Sequence, residues 1–346
     1  MAYLRRDRRD GNRCVRFITC RVLHGLPFLA REVTKAVILG ILARAQELFN
    51  IKICGFVFLG NHYHMIICGQ AQSISPFMNY INGEIAKAFI KLTGNYKGKF
   101  WESRFKEQKL ATPIDVLRMI VYMMLNPVKA GLVKHPSEYP GVLSFNLPRE
   151  IETSWIRPSK LRRLSNDYNL DDDLQELKRL KKCADATYTL KIDLFAWKSC
   201  FDEKVDESLL TEMLEEELKK ITQSKKCFIG AEALKTQRLD LNWITKNKSP
   251  TPFIICSDEN LRKELIKDYK AFVAECRLAW QKLKAGEDGV KFPPGCYIPS
   301  IASQYFEKTF TDTKNNTNEI NHLNSPLLLN SVNKPADLSK LDQSLP

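Results

Sequence analysis

The stretch "GNHYHMIICG", Gly60 to Gly69, carries two of the chain's five histidines with one tyrosine between them. Side chains alternate faces along a strand, so His62 and His64 would point one way and Tyr63 the other. Two imidazoles on one face make a ready bidentate metal site, since neutral imidazole is the commonest metal ligand. Two solvated or hydrogen-bonded histidines in an ordinary strand would have the same spacing. Further on, Tyr122 and Asn126 stand at i and i+4 in "YMMLNPVKAGLV", on one helix face a turn apart. Packed beside the histidine strand, that face would bring an amide oxygen to the imidazoles and a phenol next to them. The plainer readings make Tyr122 a core aromatic and Asn126 a helix end before proline.

The elements that must position these residues follow from pattern. "RCVRFITCRV" (13–22) alternates and is rich in β-branched residues, as a strand should be. "REVTKAVILGILARAQELF" (31–49) has helical periodicity. "IKICGFVFLG" and "HYHMIICG" are strand-like runs joined at Gly60-Asn61, a pair suited to a tight hairpin. "ISPFMNYINGEIAKAFIKLTG" (74–94) reads as a helix ending at a glycine, and "GKFWESRFKEQKLAT" (98–112) as extended chain. "PIDVLRMIVYMML" (113–125) reads as a helix, with Pro113 at its start and Asn126-Pro127 at its stop. This order predicts an α+β fold: a ferredoxin-like βαββαβ antiparallel sheet covered by helices, with an added helix carrying Tyr122.

The composition changes near residue 150. Residues 151–310 are charged and poor in strand formers, which predicts a mostly helical accessory region. Within it, 257–286 reads as one long amphipathic helix with Ser257 as N-cap and Gly286 past its end. Residues 311–346 are rich in Asn, Ser and Pro and read as a disordered tail. The expected division is therefore 1–150, 151–310 and 311–346.

Charge is divided the same way. Residues 1–150 hold 22 Lys+Arg against 10 Asp+Glu, a net of +12, which leaves 31 and 30 of the chain's 53 and 40 for the rest, a net of +1. An excess concentrated in one region is the footprint of a polyanion partner, most often nucleic acid. Arg5, Arg6, Arg8, Arg9 and Arg13 form a basic N-terminal arm, and Lys97, Lys99, Arg104, Lys106 and Lys109 surround Phe100, Trp101 and Phe105. Basic residues interleaved with aromatics suit a surface that tracks a single-strand backbone and stacks its bases. An edge strand with core aromatics and solvating lysines would have the same composition, and a disordered basic tail the same arginines. The mean hydropathy of −0.30 and the lack of a long apolar run argue against a membrane span. The ten cysteines, with no CxxC, fit buried small hydrophobes in a reducing cytoplasm. Trp197, Trp243 and Trp280 read as core, and His322 lies in the tail.

"GNHYHMII", "WESRF" and "YMMLNPVKAGLV", in this order and spacing, resemble the transposases of the HUH single-strand nuclease superfamily, in particular the REP-associated tyrosine transposases. The resemblance covers roughly residues 10–145. It implies His62 and His64 as metal ligands, Asn126 as the polar residue completing the site, and Tyr122 as nucleophile. It also implies Mg2+ or Mn2+ as cofactor, where imidazole chemistry would also accept Zn2+ or Ni2+. Nicking and rejoining of single-stranded DNA beside a hairpin, through a 5′-phosphotyrosine intermediate, would follow. Gly60 stands where the family often has proline, and Met124 where it often has histidine. Two other readings are a non-catalytic hairpin-binding regulator derived from such an enzyme, and a nuclease using metal-bound water. Monomer and dimer, and use of Tyr122 in its own site or a mate's, stay open.

Overall fold

The computed structural model describes residues 6–94, 98–165, 167, 169–225, 227–240, 242 and 252–296. Arg5, Lys97, Trp243, His322 and the expected tail lie outside them. Strand β1 (Cys14–Arg21) is followed by α1 (Glu32–Phe49), the hairpin β2 (Lys52–Leu59) and β3 (His62–Gly69), α2 (Ala71–Thr93) and β4 (Lys106–Leu110). Helix α3 (Pro113–Met124) and the single turn α4 (Asn126–Lys129) come next. The later elements are β5 (Glu150–Trp155), α5 (Leu170–Lys182), β6 (Ala186–Lys191), α6 (Ser208–Ser224), α7 (Ala231–Lys235), β7 (Ile254–Ile255) and α8 (Glu259–Lys284).

The sheet order is β2-β3-β1-β4-β7. Its first four strands pair antiparallel, as a split βαβ plan requires. The fifth, β7, pairs parallel with β4 and makes the sheet mixed rather than antiparallel. A second sheet, the antiparallel pair β5-β6, was hidden in a region read as helical. It packs on α1, where Gly40 is required: a Cβ there would lie 2.2 Å from the carbonyl oxygen of Ser154.

Both faces of the large sheet are covered, and residues beyond 150 help cover each. On one face Ile18, Phe56, Tyr63 and the inner sides of α1 and α2 share a core with Trp155, Leu180 and Leu190. On the other, Phe17, Val57, Ile66 and α3 share a core with Trp197, Leu210 and Ile221. Trp197 is thus core, as expected. Helix α1 has no capping side chain of its own; Oδ2 of Asp173, from α5, accepts the N–H of Glu32 at 2.7 Å. Helix α2 ends as read, with Gly94 left-handed at φ 69°.

One helix end differs from expectation. The long helix α8 is capped by Asp258, whose Oδ1 accepts the N–H groups of Asn260 and Leu261 at 2.8 and 3.0 Å. Ser257 cannot cap because its hydroxyl and N–H both serve the buried carboxylate of Asp115. Helix α3 ends at Met124, just before Asn126-Pro127 as read, and the separate single turn α4 starts at that pair because proline is tolerated in a first turn.

Candidate functional site

Cross-strand register fixes which residues share the face of the histidines. His62 opposes Arg21 and Leu59; His64 opposes Thr19 and Val57. Thr19 in turn opposes Lys106, and Phe17 opposes Gln108. Directly opposed residues point to one side. Tyr63 points to the other side, where it is fully buried and donates its hydroxyl to Oδ1 of Asn82 at 2.7 Å. Burial holds the Tyr63 phenol well above its ordinary value, which unfits it as a nucleophile.

The imidazoles lie with ring centroids 5.1 Å apart and nearly perpendicular. Phe17 stacks on His64 at 5.1 Å, and the ring of Tyr122 meets His64 edge-on at 5.5 Å. The structure therefore brings Tyr122, His64 and His62 together. Tyr122 is held by α3, which begins in a capping box: Thr112 Oγ1 accepts the N–H of Asp115, and Asp115 Oδ2 accepts the N–H of Thr112. Asn126 follows one turn later, 6% exposed, and among the described residues its side-chain amide has no hydrogen-bond partner. Tyr122 is half-buried, with one edge open.

The Nδ1 atoms of both histidines are engaged. That of His62 lies 2.9 Å from Oδ1 of Asn61, and that of His64 lies 2.9 Å from the hydroxyl of Thr19. Asn61 Oδ1 can only accept, so His62 Nδ1 donates and the lone pair is on Nε2; the Thr19 contact allows the same at His64. Burial, then Arg21, pushes the His62 pKa down to about 4; burial, His62 and Arg21 hold His64 well below the usual histidine range. Both rings are neutral at pH 7, the form a metal needs. No group of three or more His, Cys, Asp or Glu close enough to hold a metal exists among the described residues. A third protein donor here would have to be an uncharged group such as the Asn126 amide.

The described arginines of the arm are paired with groups of the fold. Arg8 is 3% exposed, and its guanidinium meets both carboxylate oxygens of Glu107 and Ser75 Oγ. Arg6 bonds Ser75 and lies 3.9 Å over the Phe105 ring. Arg9 pairs with Asp7 and Asp268 at 2.7 and 2.6 Å, and Arg13 pairs with Asp202 at 2.6 Å. Residues 6–13 are thus a strap bound to the fold by ion pairs, because acids from β4 and the second half lie within reach. Arg13 keeps half its side chain in solvent; Arg8 has none to offer a phosphate.

The second basic segment fares differently. Lys99, Arg104 and Lys106 are exposed. Trp101 is half-buried, its indole N–H donating to the carbonyl of Asn82 at 2.9 Å and its ring packed against Phe100 and Tyr63. It is an anchor whose remaining face lines a groove of about 470 Å³ with Asn79, Lys99, Arg104 and Phe105. At Arg104 this groove meets another of about 660 Å³ between β4 and α8, lined by Lys106, Phe253, Tyr269, Lys270 and Arg277. Lys270 and Arg277 are exposed, with no carboxylate partner among the described residues; the sequence reading missed them. Arg21 was missed too, although its register opposite His62 follows once the strand pairing is known. Its half-buried guanidinium makes no hydrogen bond or ion pair among the described residues.

No helix among the described residues is long and apolar enough to cross a membrane. No family model and no curated protein matches the chain. Among solved structures it is similar to a REP-associated tyrosine transposase bound to a REP hairpin, at 20% identity over 39% of this chain and 78% of that one, with a TM-score of 0.34.

Proposed function

We propose that this protein is a metal-dependent DNA transposase that nicks and rejoins single strands through Tyr122. The observation that carries the reading is the contact of the Tyr122 ring with His64, 5.5 Å between centroids, beside a second histidine on the same strand face. The three-motif resemblance supplies the reaction class, and the basic grooves at Arg104 supply a surface for the substrate.

His62 and His64, through Nε2, and Asn126, through its amide oxygen, fit a divalent cation, Mg2+ or Mn2+, because both Nδ1 atoms are occupied and the amide is unclaimed. When bound, such an ion withdraws charge from a phosphodiester and orients it. Tyr122 Oη attacks phosphorus; the Oη–P bond forms, the P–O3′ bond breaks, and the phenolic proton passes through solvent to the leaving 3′ oxygen. The product is a 5′-phosphotyrosine with a free 3′-OH, and attack by another strand's 3′-OH reverses the step and completes transfer. Arg21, beside His62, offers its free guanidinium to the same phosphate.

The test is a labelled single strand from the flanks of the protein's own gene, incubated with Mn2+ or Mg2+. Cleavage with a protein–DNA adduct that survives denaturation is expected, and Tyr122→Phe abolishes both. Unchanged cleavage by Tyr122→Phe would overturn the mechanism in favour of metal-bound water. Binding without any adduct would favour a regulator.

A further inference from the structure

Tyr122 does not stand alone at its open edge. Lys129, seven residues on, brings its Nζ to 5.3 Å from the centre of the Tyr122 ring. The same ammonium lies 3.0 Å from Oε1 of Glu217. Glu217 belongs to α6, whose Leu209 and Met213 pack in the same apolar cluster as Tyr122. Between α3 and α6 runs a groove of about 480 Å³ lined by Ile114, Arg118, Tyr122, Lys129, Met213 and Glu217.

The other cations of this groove are committed: Arg118 bonds the hydroxyl of Ser257, and Lys220 pairs with Glu216 at 2.6 Å. Among the described residues Lys129 pairs only with Glu217, with a third of each side chain in solvent. An ion pair that exposed is weak enough to exchange. A strand whose phosphate lies at Tyr122 passes this groove carrying an anion at every nucleotide, and it competes for Lys129 with a single carboxylate. We propose that Lys129 is a phosphate-binding cation of the Tyr122 site and that Glu217 is the carboxylate it leaves when a strand phosphate arrives. Helix α6 then acts as an anionic placeholder on the nucleophile, a role for part of the accessory region. The proposal rests on the reading that the Tyr122 site takes single-stranded DNA.

The test uses the full chain and fluorescein-labelled oligothymidylate of about 20 nucleotides, longer than the roughly 4–16 that one single-strand-binding fold covers. Anisotropy gives affinity across a range of salt without metal. Glu217→Gln should tighten binding about two- to fivefold, the factor that corresponds to losing one exposed ion pair. Lys129→Met should weaken it and lower the slope of log affinity against log salt by about 0.7, the value for one single-strand phosphate contact. Lys129→Arg should restore the slope, and the double variant Glu217→Gln/Lys129→Met should bind like Lys129→Met alone. Wild-type affinity in Glu217→Gln, or a double variant that keeps the gain from Glu217→Gln, overturns the proposal and leaves the nuclease reading standing. A wild-type chain that binds no strand at any salt overturns that reading, and this proposal with it.

Discussion

Replacing Thr19 by valine tests the metal site at its outer layer, because it removes one hydroxyl and keeps a β-branched residue in the strand. Thr19 Oγ1 lies 2.9 Å from Nδ1 of His64, its directly opposed partner. Without that hydroxyl the buried ring loses the partner of Nδ1, the one group that can accept a proton held there and so leave the lone pair on Nε2. Loss of an outer-shell partner lowers metal affinity about 10–100-fold, which is about 1.4–2.7 kcal/mol at 1.36 per decade. Leaving Nδ1 buried and unpaired costs about 1–3 kcal/mol of stability as well. Calorimetric titration with Mn2+ reads the first and urea unfolding the second, with Thr19→Ser as the variant that returns the hydroxyl. Affinity should fall in Thr19→Val and recover in Thr19→Ser. If folded Thr19→Val binds Mn2+ as tightly as wild type, His64 does not ligate through Nε2 and the site as argued is wrong.

Three further outcomes follow from the same geometry. His62 is held at about 4 and His64 well below its usual range, so the unfolded chain, with histidines near 6.5, binds more protons than the folded one. Stability should be full above about pH 6.5 and fall as pH drops toward about 4; the urea midpoint should drop less in His62→Gln/His64→Gln than in wild type. Arg8→Met leaves Glu107 with Arg16 and Arg6 as its remaining cations but removes its two closest hydrogen bonds, and should cost about 1–3 kcal/mol in urea unfolding, where no loss would mean a solvated arm. Lys270→Ala and Arg277→Ala should each lower the salt slope of single-strand binding by about 0.7 and leave adduct formation at saturating DNA unchanged, since both line a groove whose walls do not include Tyr122.

The ferredoxin-like half was legible because its strands and helices differ in period and their boundaries carry glycine, proline or asparagine. The HYH strand and the helix of Tyr122 could be placed on their elements for that reason, but not against each other. Their meeting depends on α3 lying over β1 and β3, which Phe17 mediates by touching both His64 and Tyr122. The pairing of the arm was not legible because a run of arginines looks the same whether solvated or paired; Glu107, Asp202 and Asp268 are distant in sequence from the arginines they hold. The strands β5 and β6 escaped because "EIETSW" and "ATYTLK" are six-residue runs with few aliphatic residues, set in a charged, helix-favouring stretch. Arg21 escaped because its importance is a matter of register, one residue of slip away from the opposite face.

The charge split between the halves takes on a different meaning in three dimensions. Three acids of the near-neutral second half lie at its contacts with the first: Asp202 on Arg13, Asp268 on Arg9 and Glu217 on Lys129. Its cations Lys270 and Arg277, with no carboxylate partner among the described residues, extend the groove that begins at Arg104. The same half also grips the helix of Tyr122, through Ser257 on Asp115 at its start and Glu217 on Lys129 beyond its end. A nucleophile must be held to within about 1 Å to react well. Residues beyond 150 therefore bear on the two things the proposed chemistry needs, the position of Tyr122 and the path of the anion it attacks.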